Sequence, residues 1–105
     1  MICIETIKKR KAIYGNNFPE IARLQSEYFK REFTPQDVAM SLAILKEVRI
    51  NFIRKQLLEL KKDINFNSYI IQIQIKNLNE GLEDSKKDHE NYLWIAKNYK
   101  KYEQI

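Results

Sequence analysis

The chain has 105 residues, of which 44% are apolar and 31% are charged, and its formal net charge is +5. It is too apolar for an intrinsically disordered protein, and its two glycines and two prolines are too few for the tight turns of an all-β fold. We expect a single helical domain over residues 1–105. Cys3 is the only cysteine, and no apolar run approaches the roughly 20 residues that span a bilayer. These features predict a cytoplasmic protein without a membrane segment.

Two short helices are predicted in the first third of the chain. The first covers residues 3–13 and ends in a basic run at residues 8–11, which suits the negative end of a helix dipole. Gly15 can adopt a positive φ and is typical of a helix stop. A capping asparagine and a first-turn proline then mark the start of the second helix, at Asn16 or Asn17 and at Pro19.

The clearest helix start in the chain lies at Thr34. Pro35 follows at the first helical position and Asp37 at the third, which is close to the pattern of a capping box. No further glycine or proline occurs before Gly81, so we expect a long helix. Its apolar residues form two stripes roughly 100° apart, which predicts different neighbours along its length. One stripe holds Val38, Leu42, Leu45, Val48 and Phe52, and the other holds Ile50, Ile53, Leu57, Leu60 and Ile64.

Residues 64–80 fit two patterns, because their apolar residues alternate like a strand and also share one helical stripe. We favour a helix that follows a break at residues 65–67, and a short strand pairing within residues 68–77 is the alternative. Gly81 is expected to end this helix, and Ser85 to begin a last helix with apolar residues Tyr92, Ile95, Ala96, Tyr99 and Tyr102. The predicted fold is all-α, a small bundle of four or five helices around the long helix from Thr34.

Two segments, YGNNFPEIARLQSEYF and TPQDVAMSLAILKEVR, resemble a family of small, functionally uncharacterised phage and prophage proteins. The family pattern is Tyr-Gly, Asn-Phe-x-x-Ile-Ala-x-Leu-Trp, Thr-Pro-x-Asp-Val-Ala and Leu-Leu-Lys-x-x-Arg. The matching residues lie between about 10 and 50: Tyr14, Gly15, Asn17, Phe18, Ile21, Ala22, Leu24, Thr34, Pro35, Asp37, Val38, Ala39, Leu45, Lys46 and Arg49. Gln25 replaces the Trp of the pattern.

The chain departs from the family at its C-terminal part. The family closes with a helix reading Asp-(Ser/Asn)-x-x-Asp-x-Ala-Gly-Tyr, which is similar to the all-helical nucleotide pyrophosphohydrolases, and Trp94 here replaces its second Asp. Those enzymes hold Mg²⁺ with paired acids on adjacent helices. Only Glu80 and Glu83 have that spacing, across the predicted turn at Gly81. We therefore expect a protein that is not an enzyme and has no metal or cofactor; a pyrophosphohydrolase-like protein is the alternative.

Lys46 and Arg49 are the candidate site residues on the long helix. Arg49 falls among apolar positions, where a charge needs a partner, so we expect it to be largely buried and ion-paired. The alternative is an anion or nucleotide site in which Lys46 and Arg49 hold a phosphate near Tyr14 and Asn17.

The resemblance implies a non-enzymatic phage or prophage accessory protein that binds a host protein or a nucleotide in a bacterial cell. We also expect a homodimer, because Trp94 lies off the apolar stripe of the last helix and a large exposed aromatic is a common interface anchor. The other interface candidates are Ile53, Leu57, Ile71 and Ile75. Nucleic-acid binding through residues 8–11 and 54–62 is a further alternative.

Overall fold

The computed structural model describes residues 3–104, and these residues form five helices. The helices are α1 (Cys3–Tyr14), α2 (Phe18–Phe29), α3 (Pro35–Lys61), α4 (Tyr69–Lys97) and α5 (Tyr99–Glu103). The predicted all-α bundle around a long helix from Thr34 is confirmed. The alternative of a strand within residues 68–77 is wrong, because α4 begins at Tyr69 and takes in all but the first of these residues.

The turn between α1 and α2 follows the sequence prediction. Gly15 has a φ of +60°, a value that costs a residue with a side chain about 1–2 kcal/mol. The Asn17 side chain accepts a hydrogen bond from the Glu20 backbone N–H, and Pro19 lies in the first turn of α2. The chain therefore reverses after α1, and the first turn of α2 is capped.

A reciprocal pair of hydrogen bonds fixes the start of α3. The Thr34 backbone N–H donates to Asp37 Oδ2 at 2.9 Å, and the Asp37 backbone N–H donates to Thr34 Oγ1 at 3.1 Å. Pro35 occupies the first turn, where its missing N–H costs nothing. The predicted capping box is therefore confirmed.

The helix α3 is continuous over 27 residues and meets different neighbours along its length. Its first half buries Val38, Ala39 and Leu42 in a core shared with α1, α2 and the C-terminal end of α4. Its second half buries Ile50, Ile53 and Leu57 outside that core, alongside α4. The expected change of face is confirmed, although Val48 and Phe52 of the first stripe are more than half exposed, and Ile64 of the second stripe lies beyond the end of α3 and is 97% exposed.

The predicted helix end at Gly81 and helix start at Ser85 are wrong. α4 runs as one helix of 29 residues through both positions, from the Ser68 cap to Lys97. An added Cβ at Gly81 would lie 3.8 Å from Ile53 Cδ1, and Ser85 is only 3% exposed. The reason is tertiary: α4 packs along α3 on both sides of Gly81, and this packing outweighs the poor helix propensity of one glycine, about 1 kcal/mol.

The helices α3 and α4 form an antiparallel pair that carries most of the tertiary structure. Their antiparallel direction is clear from Gly81 lying by Ile53 and Asp88 lying by Lys46. The hairpin between them is closed by residues 62–68, where the expected break at residues 65–67 is confirmed. Since α1 and α2 pack only at one end of the pair, the molecule is elongated, with extents of 51, 32 and 20 Å.

The main core lies at the end of the pair where α1 and α2 pack. Phe18 is fully buried there, with its ring centroid 6.5 Å from that of Tyr92 and 5.8 Å from that of Tyr102. The predicted apolar stripe at the C-terminal end of the chain is confirmed, because Ile95 and Tyr99 are also buried in this core. The core therefore ties the first third of the chain to its last fifteen residues.

Two hydrogen-bonded polar side chains, Thr6 and Gln25, are buried beside this core. Gln25 is fully buried. It accepts a hydrogen bond from Arg10 Nε at 2.8 Å and donates one to Thr6 Oγ1 at 3.0 Å. Because buried polar groups are costly unless they are paired, these bonds fix the position of α1 against α2.

Candidate ligand-binding groove

A groove of about 600 Å³ lies where α1 packs against the middle of α3 and the C-terminal part of α4. Its walls come from three separate stretches of sequence, so only the tertiary structure forms it. The lining residues are Lys8, Lys11, Leu42, Leu45, Lys46, Val48, Arg49, Phe52 and Tyr92. This volume is in the range of sites that bind small ligands or parts of larger ones.

Four cations line the groove. Lys8 and Lys11 are three residues apart on α1, and Lys46 and Arg49 are three residues apart on α3, so each pair shares one face of its helix. No acidic side chain of residues 3–104 lines the groove. The groove therefore has a local excess of positive charge, which attracts anions.

Only one of these cations is neutralised by an ion pair. Lys46 Nζ lies 3.2 Å from Asp88 Oδ2, with both side chains partly exposed. Lys8, Lys11 and Arg49 form no ion pair with any residue that the structure describes. Their charges are thus available to a bound partner.

The expected burial of Arg49 is wrong. The residue is exposed and has no ion-pair partner within residues 3–104. Arg49 lies on the same side of α3 as buried Leu42, as the helical geometry predicted. The space next to this side is an open groove and not a closed core. A guanidinium that stays in water avoids the desolvation cost of burial.

The floor of the groove is apolar and partly aromatic. Leu42 is only 5% exposed, whereas Val48 and Phe52 are 61% and 57% exposed. Tyr92 is half-buried, and burial is the main cause that raises the pKa of its hydroxyl, with the nearby Asp88 carboxylate adding to the effect. The phenol is therefore neutral at physiological pH and can donate a hydrogen bond to an anion.

The other two predicted members of the anion site lie outside the groove lining. Asn17 caps α2, and Tyr14 is the last residue of α1 and is 39% exposed. The structure instead brings Lys8, Lys11 and Tyr92 to Lys46 and Arg49. The basic run at residues 8–11 was a visible signal, but periodicity alone does not show which helix it faces.

The five predicted interface residues fall into different environments. Ile53 and Leu57 are 2% and 8% exposed against α4, so their expected place on the surface of the subunit is wrong: α4 folds back and covers them. Ile71 and Ile75 are half-buried. Trp94 is 42% exposed, as its place off the apolar stripe predicted.

The acidic pair also lies in a different setting from the one expected. Glu80 and Glu83 are exposed on a continuous helix instead of spanning a turn, and Lys86 Nζ lies 3.4 Å from Glu83 Oε1. Within residues 3–104, no three His, Cys, Asp or Glu side chains are grouped as a metal site requires.

Comparisons with known protein families, with curated proteins and with solved structures gave no match for this chain. None of the helices between residues 3 and 104 combines the length and apolar character that a bilayer crossing requires. The groove is therefore the feature from which a function can be argued.

Proposed function

We propose that the protein is a non-enzymatic accessory protein of the phage and prophage type, which works in a bacterial cell by binding an anionic partner in the groove. One observation carries the proposed binding: four cations surround an apolar floor, and only one of them, Lys46, is paired with an acid, Asp88. Exposed apolar surface that is ringed by charge is typical of binding sites.

The partner that fits best is an acidic, amphipathic helix of a host protein. The part of α3 that lines the groove, residues 42–52, is about 15 Å long, which is close to three turns of a docked helix. Apolar residues of such a helix would contact Leu45, Val48 and Phe52, and its acids would meet the cations on α1 and α3. Helix-in-groove recognition uses this combination of apolar anchors and flanking charges.

A nucleotide is the second candidate. The exposed ring of Phe52 could stack on a base, and the cations could bind phosphate oxygens. The two ligands can be separated by direct titration. A labelled acidic peptide of roughly 15 residues, with Leu at helical i, i+3, i+4 and i+7 spacing, is compared with a scrambled peptide of equal composition and with a fluorescent ATP analogue.

The variant Arg49→Glu should weaken binding of the helical peptide by about tenfold or more, because it reverses a charge inside the groove. The control is Arg54→Glu, which reverses an exposed charge on the same helix outside the groove lining and should change the affinity by less than about threefold. Equal effects of the two variants would show a general attraction to the basic surface and would contradict the proposal. Preference for the ATP analogue, lost in Arg49→Glu, would assign the groove to nucleotides instead.

The hydrolase and nucleic-acid alternatives have their own measurements. Mg²⁺-dependent release of pyrophosphate that is lost in Glu80→Gln would favour a pyrophosphohydrolase. A gel shift that weakens steeply with salt, with equal losses from changes at residues 8–11 and 54–62, would favour nucleic-acid binding.

A further inference from the structure

The outer side of α4 carries a row of exposed residues spaced by seven. Ile73, Glu80, Lys87 and Trp94 form this row, and all four are exposed. The row lies roughly 150° from the side of α4 that faces α3, at 100° per residue. The two apolar ends of the row keep a large accessible surface, since Ile73 is 40% and Trp94 is 42% exposed. A spacing of seven residues is the repeat of helices that pair with other helices.

Along the row the side chains are apolar, acidic, basic and aromatic. When a second copy of the row runs in the opposite direction, each side chain therefore faces one of complementary type. If two copies of α4 cross antiparallel with their midpoints between residues 83 and 84, Glu80 faces the partner's Lys87. The same alignment places Ile73 against the partner's Trp94. Each contact occurs twice because of the two-fold symmetry. A parallel alignment would instead set Glu80 against Glu80 and Lys87 against Lys87, which is repulsive.

A second row beside the first has the same property. Lys76, Glu83 and Glu90 are also spaced by seven and are all exposed. With the axis close to Glu83, Lys76 faces the partner's Glu90. Like charges meet only at the axis, where Glu83 approaches its own copy and the exposed Asp84 of the partner, and Lys86 of the same helix, 3.4 Å from Glu83, moderates this repulsion. The charges of both rows therefore select the antiparallel arrangement.

We propose that two copies of the chain form a dimer through the outer side of α4, with the helices antiparallel about a two-fold axis next to Glu83. Trp94 is the anchor of the interface at each end. The groove lies between α1 and α3 and is not part of this surface, so the dimer presents two grooves and does not depend on what they bind.

The oligomeric state is measured by sedimentation equilibrium of the full chain at concentrations on the order of 50 µM. The expected mass is twice the 12.7 kDa of one chain. Trp94 is the only tryptophan, so its emission should shift to shorter wavelength as the concentration rises through the dissociation constant. Trp94→Ala should weaken the dimer by about fivefold or more. A mass of one chain at these concentrations overturns the proposal.

Exchanging charges tests the antiparallel register. Glu80→Lys and Lys87→Glu should each raise the dissociation constant by about tenfold or more, and the double variant should return it to near the wild-type value because the pair is restored in reverse. Glu59→Lys, an exposed acid on α3 outside the interface, is the control and should have little effect. Recovery in the double variant also shows that the single variants were not simply misfolded. A dimer that tolerates both single changes, or a double variant as weak as the singles, overturns the antiparallel pairing.

Discussion

Replacing Gly81 by alanine should make the protein more stable, because α4 passes through this position as a regular helix. Glycine is a poor residue for a helix interior, and alanine is better by about 1 kcal/mol. The added methyl group would lie 3.8 Å from Ile53 Cδ1, an ordinary van der Waals distance. No clash therefore opposes the gain in helix propensity, and the new contacts add about 0.1–0.2 kcal/mol each.

The expected effect is thus a gain of about 1 kcal/mol in the free energy of unfolding, which raises the melting temperature by roughly 4–8 °C for a domain of this size. Urea unfolding followed by far-ultraviolet circular dichroism measures it directly. Gly15→Ala is the matched control. Gly15 has a φ of +60° with no atom within 4 Å of an added Cβ, so only backbone strain acts there.

Gly15→Ala should lower the stability by about 1 kcal/mol, since the strain of 1–2 kcal/mol is partly offset by a stiffer unfolded chain. The structure requires that Gly81→Ala raises the free energy of unfolding and that Gly15→Ala lowers it. If Gly81→Ala is destabilising by as much as Gly15→Ala, then Gly81 ends a helix and the description of α4 as one helix is wrong.

Three further predictions concern the capping box, the buried amide and the groove tyrosine. Thr34→Ala should cost about 1 kcal/mol by removing the cap of α3; an unchanged urea midpoint would contradict this. Gln25→Leu should lower the stability by about 1–3 kcal/mol through its lost hydrogen bonds. Thr6→Val should then cost about 0.5 kcal/mol less, or still less, in the Gln25→Leu background than in the wild type, because the bond between the two residues is already lost. Strict additivity of the two changes would refute this coupling. Burial raises the pKa of Tyr92 above its usual 10.0, so the native state holds this proton more tightly than the unfolded state. The stability that this proton contributes is complete below about pH 10 and is lost as the pH rises through the folded-state pKa. The free energy of unfolding of Tyr92→Phe should therefore fall less steeply with alkaline pH than that of the wild type. Identical slopes of the free energy of unfolding against pH would contradict this prediction.

Local signals in the sequence determined where α2 and α3 begin. The caps at Asn17 and Thr34 and the positive φ at Gly15 depend on residues within three or four positions of one another. Such interactions are the same in any tertiary context, so residue type and spacing are enough to predict them. The apolar stripes of α3 likewise predicted two sets of neighbours, because a helix fixes which residues share a side.

Only the tertiary structure decided the course of α4 and the composition of the groove. Gly81 is a helix stop by local propensity, yet it lies in the interior of α4, which packs along α3. Arg49 lies on the apolar side of α3 by periodicity, yet it is exposed because α1 leaves a groove beside it. Periodicity gives the direction in which a side chain leaves its own helix. It does not give the distance to the next helix, and that distance decides whether a charge is buried or left in water.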